Sequence, residues 1–570
     1  MSTDTASATA EKATGFENAP EQLTPVELTI RGDFPPWLSG ILYRTGPGTY
    51  SIPSASDPSN VTEIQHWFDG IAMHHRFEIL PASEGQSSRV LYRSHKGAPD
   101  LEQRIAELFS FAQRQRDTDP CANFFEKVST SFASLDDAVA AMSKRERTNK
   151  LSNVAVTMTP DFPGIRLPGR ERDDDENRMG PRVIVSKTDA NLLQVLDPTT
   201  LEPLDLVSYA HIDPRLSGLF SAAHACRDPE TGDFYNFVLD FAVKSTYKVF
   251  KIRGDNGKAD VLATISEKDA PPAYIHAMTM TSRFVIVCIW QSHIKNFGLS
   301  MLSTNNVADS IEKTWHPEKS SVFYVVDRHN GGVVAKYKTD PFFAFHYLNA
   351  YDDPETGDVV IDLSVYPNTG VLDMLYLDKM RNLSPNSKPW MGRAQRFRLF
   401  DPAKVAEKGS IPVLEAKIDF TVPQSAGVEL PTLAPSKYHR AYQYAYGITR
   451  RPIGSGFSDG VIKLNMHAVV SAAASGDSLE GKEDEYAKIW RPVEHAPSEP
   501  IFAPRPGGTS EDDGVLLSIV LDSTPEKGTG QSALVVIDAK TMEEVARAEM
   551  STIYPFGFHG VYTPERKNAL

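Results

Sequence analysis

Short runs of β-branched and aromatic residues recur along the whole chain, and turns rich in glycine, proline and aspartate separate them. Runs of this length and composition predict β-strands rather than helices. The clearest examples are residues 183–187, 284–290, 322–327, 359–366, 515–522 and 533–538.

Several of these runs end in an aspartate, which is followed by a turn and a second aliphatic stretch. The pattern is visible at residues 196–206, 326–337 and 537–549. Repeated hairpins without crossover helices indicate an all-β fold, either a propeller or a large sandwich. The pattern alone does not fix the number of blades.

One segment departs from this strand pattern. Residues 100–117 carry Leu101, Ile105, Leu108 and Ala112 at helical spacing. An apolar stripe of this kind packs against the main body of a protein or rests on a membrane surface, and both interpretations stay open.

The N-terminal residues 1–22 are polar, and we expect them to form a flexible, disordered tail ahead of a single domain over residues 23–570. No stretch has the apolar length of a secretory signal or of a membrane-spanning helix. Cys121, Cys226 and Cys288 are the only cysteines and form no C-x-x-C pair, which indicates a reducing compartment. We therefore expect a cytoplasmic protein.

Composition narrows the class of protein further. The chain has 570 residues, of which 41% are hydrophobic and 23% charged, as in a globular protein. Its formal net charge of -15 and the absence of a run of lysine and arginine argue against a nucleic-acid partner.

Four of the fifteen histidines stand beside apolar or aromatic runs that are predicted to end strands. They are His224, His276, His346 and His559. Their positions are far apart in sequence, and only a closed, radially arranged sheet could bring them to one axis. Spacing alone therefore gives weak support for a shared metal site.

The residues around these histidines carry a resemblance to a known family. Together with FPPWLSGILYRTGPGTY (34–50), HWFDGIAMHHRFEI (66–79), the VELPTLAPSKYHRAYQYAYGI stretch (428–448) and the C-terminal segment 498–560, they resemble the carotenoid cleavage oxygenases. The resemblance runs from about residue 22 to residue 565. It is most pronounced toward the animal branch, which contains β-carotene central-cleavage oxygenase and the retinal pigment epithelium isomerohydrolase.

The resemblance implies a seven-bladed β-propeller with a cap of helices and loops, here including residues 100–145, over a non-haem Fe(II) ion. It assigns the iron ligands to His224, His276, His346 and His559. It places carboxylates behind these ligands at Asp189, Glu429 and Glu499, and no catalytic residue beyond the ligands. The family usually has glutamate where this chain has Asp189, so we expect either a compensating backbone or a bridging water.

The implied reaction inserts both atoms of O2 across one conjugated carbon–carbon double bond of a carotenoid or apocarotenoid, giving two carbonyl products. Three alternatives stay open: a stilbene-cleaving oxygenase, a retinoid isomerohydrolase and a non-catalytic binding propeller. In the stilbene branch a lysine directly precedes the carboxylate that corresponds to Asp189. This chain has Thr188 there, and Lys187 should face the other side of the strand, which favours an apolar polyene.

A lipophilic substrate also implies an entry point for it. The resemblance places a peripheral membrane contact or substrate entry at Phe109, Phe111, Cys121, Phe124 and Phe125.

Overall fold

The computed structural model describes most of the chain. The described residues are 15–83, 86–112, 149–167, 179–240, 245–295, 307–383, 391–407, 411–451, 456–476, 478–493, 495–522 and 531–565.

Strands dominate the fold. In the first half of the chain they are β1 Val26–Glu27, β2 Thr29–Gly32, β3 Gly40–Thr49, β4 Ser51–Pro53, β5 Val61–Glu63, β6 Ile71–Leu80, β7 Arg89–Lys96, β8 Thr157–Pro160, β9 Ile184–Lys187, β10 Leu193–Leu196, β11 Pro203–Val207, β12 Phe220–Ser221, β13 Cys226–Arg227, β14 Phe234–Asp240, β15 Thr246–Ile252, β16 Ala259–Ile265, β17 Thr279–Met280 and β18 Phe284–Ile289. In the second half they are β19 Ser321–Asp327, β20 Val333–Thr339, β21 Phe343–Asp352, β22 Val359–Tyr366, β23 Arg393–Leu399, β24 Val413–Glu415, β25 Lys417–Thr421, β26 Glu429–Thr432, β27 Tyr444–Thr449, β28 Gly460–Asn465, β29 Ala487–Trp490, β30 His495–Pro497, β31 Ile501–Pro504, β32 Gly514–Asp522, β33 Gln531–Asp538, β34 Glu543–Glu549 and β35 His559–Pro564.

Helices are short and lie in the connections. The α-helices are α1 Pro99–Ala112, α2 Tyr209–Ile212, α3 Val307–Ser310, α4 Gly370–Met374, α5 Leu377–Arg381, α6 Pro402–Ala406, α7 Met466–Ala474 and α8 Glu483–Tyr486. Short 3-10 turns occupy Trp67–Asp69, Pro214–Leu216, Gln424–Ala426 and Pro435–Lys437. Among the described residues, no helix combines the length and apolar character needed to cross a bilayer.

Seven sheets of four to six strands form the blades of a β-propeller, and β4 and β5 form a separate hairpin. From the inner strand outward, the blades are β35-β3-β6-β7-β1; β8-β9-β10-β11; β12 and β13, then β14-β15-β16; β17-β18-β19-β20-β24; β21-β22-β23-β25; β26-β27-β28-β29; and β30 and β31, then β32-β33-β34-β2. We number them blades 1 to 7 in this order. The predicted seven-bladed propeller is confirmed.

The ring closes through the two ends of the chain. The C-terminal strand β35 pairs antiparallel with β3, with Tyr43 opposite Val561 and Thr45 opposite His559. Blade 1 therefore takes its inner strand from the last residues of the chain and its other four strands from the first hundred.

Packing between blades explains the composition of the middle strands. Every residue of β22 is buried, because each face of this strand packs against a neighbouring layer. A strand covered on both faces reads as a continuous apolar run rather than as an alternation. The six predicted runs are found as strands with ends that differ by at most two residues, and each of the three predicted hairpins joins two antiparallel strands.

The expected flexible tail is wrong for residues 15–22. Phe16 is 1% exposed and makes edge-to-face contacts with Tyr50 and Trp67. It also packs against Phe457 and Phe556. One aromatic side chain in a polar segment is enough to anchor it, because burying a large ring stabilises by a few kcal/mol. Residues 1–14 lie outside the described part.

The predicted helix at 100–117 begins at Pro99, and its described part ends at Ala112. Leu101 and Ile105 pack against Ile52 and Ile71 of the main body. Phe109 and Phe111 belong to this helix, but their side chains lie outside the described part. The other predicted entry residues, Cys121, Phe124 and Phe125, lie in the segment 113–148, which the description does not cover.

Candidate metal centre

The four predicted histidines converge on one point at the propeller axis. One ring nitrogen from each of His224, His276, His346 and His559 lies within 4.8 Å of the others. His224 Nε2 lies 2.9 Å from His559 Nε2. Two metal–nitrogen bonds of about 2.1 Å at right angles place their nitrogens about 3 Å apart, so this separation suits two ligands of one cation.

Each histidine comes from an inner strand or its immediate approach. His224 lies between β12 and β13, His276 precedes β17, His346 lies within β21, and His559 begins β35. The histidines were expected where strands end, but they stand at or near the starts of inner strands. This placement directs side chains from different blades toward the axis.

Three carboxylates face the far nitrogens of three of these rings. His276 Nδ1 donates to Asp189 Oδ1 at 2.9 Å, and His346 Nδ1 donates to Glu429 Oε2 at 2.6 Å. His559 Nδ1 donates to Glu499 Oε1 at 2.7 Å. A carboxylate that accepts from Nδ1 fixes the tautomer in which Nε2 is the ligating atom.

Asp189 reaches His276 directly, so no bridging water is needed. Its second oxygen, Oδ2, accepts a hydrogen bond from the Tyr274 hydroxyl at 3.0 Å. The backbone brings the shorter side chain close enough: the Asp189 carbonyl accepts from the Ser221 amide at 2.9 Å, which ties this turn to blade 3. The direct contact removes the need for the bridging water, and a compensating backbone stays the expectation for this position.

Every blade contributes one side chain to the site. In blade order, the contributions are His559, Asp189, His224, His276, His346, Glu429 and Glu499. The centre can therefore form only when the whole ring has closed.

Electrostatics favour neutral imidazoles at this point. Burial lowers the pKa values of His224 and His559 well below their usual range, and repulsion among the rings adds to the shift. Burial raises the pKa of Glu499 to about 7, although the Arg44 guanidinium pulls in the other direction. Burial also raises the pKa of Glu429, but the His346 and Tyr366 contacts outweigh it, and the net pKa is lowered.

Sequence reasoning missed the residues that hold these carboxylates. Ser364 Oγ and Tyr366 Oη donate to Glu429 Oε1 at 3.0 and 2.5 Å. Arg44 Nη1 donates to Glu499 Oε2 at 3.4 Å and to its backbone carbonyl at 2.9 Å. The spacing of Ser364 and Tyr366 could have indicated their role. Polar residues two apart in an apolar run lie on the same face of a strand and can contact the same group. Tyr274 and His276 show the same two-residue spacing.

The donor set fits a metal ion. His346 Nε2 is buried and has no hydrogen-bond partner among the described residues, and a buried polar atom without a partner costs free energy. A cation on the axis would satisfy it. Four imidazoles suit zinc, copper, iron or nickel, so the geometry establishes a site for a transition metal without choosing among these ions.

Comparisons with known proteins agree with this geometry. Residues 15–564 match the family described as retinal pigment epithelial membrane protein. The carotenoid dioxygenase of Neurospora crassa is 34% identical over 96% of this chain and 90% of its own length. The torulene dioxygenase of Fusarium fujikuroi is 32% identical, with 96% and 93% covered.

Animal relatives share less identity. The mitochondrial carotenoid-cleaving dioxygenase of Macaca fascicularis is 26% identical, over 97% of this chain and 94% of its own length. The family prediction is confirmed, but the expected special closeness to the animal branch does not match these identities, since both fungal relatives share more.

Solved structures show the same fold. A variant of the Synechocystis apocarotenoid oxygenase superposes with a TM-score of 0.64 at 20% identity, covering 97% of this chain and 98% of that one. A cobalt-substituted Synechocystis enzyme gives a TM-score of 0.63 with the same identity and coverage. The family match covers residues 15–564, and the named dioxygenases match the chain over at least 90% of their own length, so the chain belongs to the retinal pigment epithelial membrane protein family.

Proposed function

We propose that this protein is a non-haem iron(II) dioxygenase that cleaves one conjugated double bond of a carotenoid or apocarotenoid. The observation that carries this proposal is the meeting of four imidazoles at one point, with a carboxylate behind three of them. Ferrous iron held there would supply the binding and activation of O2, because four protein ligands would leave further coordination positions available.

The protein's own groups prepare the centre for this chemistry. Asp189, Glu429 and Glu499 keep their partner imidazoles in the ligating tautomer and restrict ring rotation. Together with the buried Arg44, these carboxylates balance the charge of a dipositive ion. The site therefore carries little net charge in an interior where an uncompensated charge would be costly.

Aromatic side chains lie directly beside the imidazoles. The Phe345 ring centroid is 5.8 Å from that of His276. Phe68 lies 5.9 Å from Phe345 and 5.8 Å from Phe558, the residue that precedes His559. An apolar, aromatic surface next to the centre suits a conjugated hydrocarbon chain rather than a charged substrate. The names of the relatives, carotenoid and torulene dioxygenase, support the same substrate class.

A competing substrate class is the hydroxylated stilbenes. Their cleavage would call for a lysine that holds the phenolic oxygen, and Lys187 is the lysine next to this position. Lys187 Nζ donates to the Ala223 carbonyl at 3.2 Å and lies over the Phe234 ring. The ammonium group is thus engaged between blades 2 and 3, which disfavours a role in holding a phenolic oxygen.

The test is product identification by mass spectrometry under ¹⁸O-labelled O2. Purified, iron-loaded protein is incubated in parallel with β-carotene, an apocarotenal, a retinyl ester and resveratrol. We expect labelled carbonyl products from a polyene. Cleavage of resveratrol alone would contradict the substrate class, whereas unlabelled, isomerised retinoid would indicate an isomerohydrolase. A protein that bound no metal would be a binding propeller instead.

A further inference from the structure

His224 differs from the other three histidines of the centre. A carboxylate oxygen lies within hydrogen-bond distance of Nδ1 in His276, His346 and His559. Within the part of the chain that the structure describes, no carboxylate contacts the His224 ring. This ring is also less completely buried than the others, so its orientation depends on contacts other than a carboxylate.

The backbone of His224 is held instead. The Ala223 carbonyl accepts hydrogen bonds from Thr157 Oγ1 at 2.8 Å and from Lys187 Nζ at 3.2 Å. At the other end of the same peptide unit, the His224 amide donates to the His276 carbonyl at 3.0 Å. The peptide plane between Ala223 and His224 therefore has hydrogen bonds from blade 2 at its carbonyl and to blade 4 at its amide. This plane sets the direction in which the His224 side chain leaves the backbone.

Thr157 and Lys187 act from one place in the fold. They are direct partners across the antiparallel pair β8 and β9, so their side chains leave the sheet on the same face. Both residues are buried, with Lys187 only 4% exposed. The shared direction explains how two side chains from different strands reach a single carbonyl oxygen.

The burial of Lys187 is unusual, because the charged form of a lysine side chain is stabilised by water. No ion pair with a carboxylate is found for Lys187 among the described residues; its amine lies 3.2 Å from the Ala223 carbonyl and 5.0 Å from the centroid of the Phe234 ring, within electrostatic range of the Cys226 thiol. Burial lowers the pKa of Lys187 to about 7, because the interior disfavours the charged amine, and holding a lysine here therefore costs free energy. The contact is therefore better explained by what it does to His224 than by what it adds to the fold.

We propose that Thr157 and Lys187 are positioning residues for His224. Their hydrogen bonds to the Ala223 carbonyl orient this histidine, as a carboxylate orients each of the other three. The inference rests on the proposed function, because it assigns His224 to a metal. Blade 2 would then orient two ligands at once, His276 through Asp189 and His224 through this pair.

Thr157→Val is the cleanest test because it removes a hydroxyl without changing charge. Metal affinity is measured anaerobically with Co(II) in competition with a chelator, alongside the visible ligand-field spectrum of the bound Co(II). We expect about tenfold weaker binding, in the range seen when groups behind metal ligands are removed, together with an altered spectrum. Thr157→Ser keeps the hydroxyl and should restore both. An unchanged affinity and spectrum in Thr157→Val would overturn the proposal.

Lys187→Met needs a different readout, because removing a cation near the centre also lessens its repulsion of a divalent ion. Affinity combines these two opposing effects, so the Co(II) spectrum is the measure, and we expect it to change. Lys463→Met is the matched control: Lys463 is a buried lysine of blade 6 that contacts Asp512 at 2.8 Å and the Ala539 carbonyl at 2.9 Å. Its loss should lower stability and leave the Co(II) spectrum as in the wild type.

Failure of the inference and failure of the proposed function give different results. Wild-type protein that binds Co(II) while the Thr157 and Lys187 variants keep its affinity and spectrum would overturn the inference alone. Wild-type protein that binds neither Co(II) nor Fe(II) would overturn both.

Discussion

Each carboxylate behind the centre is held in a different way. Asp189 accepts from Tyr274, Glu429 from Tyr366 and Ser364, and Glu499 from the Gly560 amide at 2.8 Å as well as from Arg44. Hydrogen bonds from these additional donors restrain each carboxylate from swinging away from its imidazole. The residues that hold these carboxylates therefore determine how closely the three imidazoles keep the orientation needed to bind a metal ion.

Glu429→Gln should weaken iron binding by about 10-fold to 100-fold. The amide can present only one acceptor oxygen, so it cannot accept from both His346 and Tyr366 as the carboxylate does. Iron content after dialysis against a graded series of chelator concentrations gives the measurement. Glu549→Gln, which removes an ion pair with Arg31 at the outer edge of blade 7, should retain iron as the wild type does; equal iron loss in both variants would contradict the expectation.

Asp189→Glu should lower metal affinity, although glutamate is the residue that the family usually places there. Asp189 already lies 2.9 Å from His276 Nδ1 and 3.0 Å from the Tyr274 hydroxyl. An extra methylene in this space must push the ring or the tyrosine aside, and overpacking of this kind costs about 1–3 kcal/mol. Chelator competition and thermal unfolding measure the two effects. Tighter metal binding in the variant would show that the backbone does not compensate as described.

Among the strands and turns, blades 5 and 6 pack closely where Gly392 lies beside Ser364 and the Glu429 carboxylate. A Cβ atom at Gly392 would lie 2.0 Å from Ser364 Oγ and 2.9 Å from Glu429 Oε1. Glu429 begins β26, and its pairing with β27 is irregular between Glu429 and Thr432. Leu430 adopts a left-handed φ of 48° there, and its amide donates to Glu429 Oε2 at 3.1 Å. Local backbone strain is thus coupled to the orientation of this carboxylate.

Gly392→Ala should destabilise the fold by about 1–3 kcal/mol and weaken metal binding as well, because the new methyl group displaces Ser364 or Glu429. Urea unfolding gives the first quantity and chelator competition the second. Gly476→Ala serves as the control: its φ of 76° strains an alanine, but no atom lies within 4 Å. It should cost about 1 kcal/mol without any change in metal binding. Full metal affinity in Gly392→Ala would contradict the assigned packing.

The sequence predicted elements better than it predicted their ends. The run 359–366, in which Val359, Val360, Ile361 and Val365 are β-branched, identified β22 with its observed bounds. Phe16 gave no comparable signal, because a single aromatic residue in a polar segment has no periodicity. Its burial depends on Tyr50, Trp67, Phe457 and Phe556, which come from distant parts of the chain. Contacts of this kind are set by the tertiary fold.

On the scale of the whole molecule, the metal centre is a point where all seven blades meet. Periodicity and spacing could not predict this convergence, because nothing local relates His224 to His559. The motifs around the histidines did assign the four ligands and the three carboxylates. No motif indicated the hydrogen bonds from Thr157 and Lys187 to the Ala223 carbonyl. These two residues come together only when β8 pairs with β9 in the folded sheet.

Because ligands come from four blades, iron should stabilise the closed ring. A ligand that binds only the folded state adds about 2.7 kcal/mol at one hundred times its Kd. We expect a rise in the thermal midpoint on anaerobic addition of Fe(II) and its reversal by a chelator. His559→Ala, which removes the ligand supplied by the closing strand β35, should abolish the rise. An unchanged midpoint in the wild type would indicate that the centre is not shared between blades as described.

X-ray absorption at the iron edge, on protein purified and reconstituted without oxygen, together with the iron content per chain, measures whether four imidazoles share one iron. We predict one iron per chain with four imidazole nitrogens in its coordination shell. Iron bound by fewer imidazoles, iron coordinated by a carboxylate in place of one of them, or no bound iron would contradict the account.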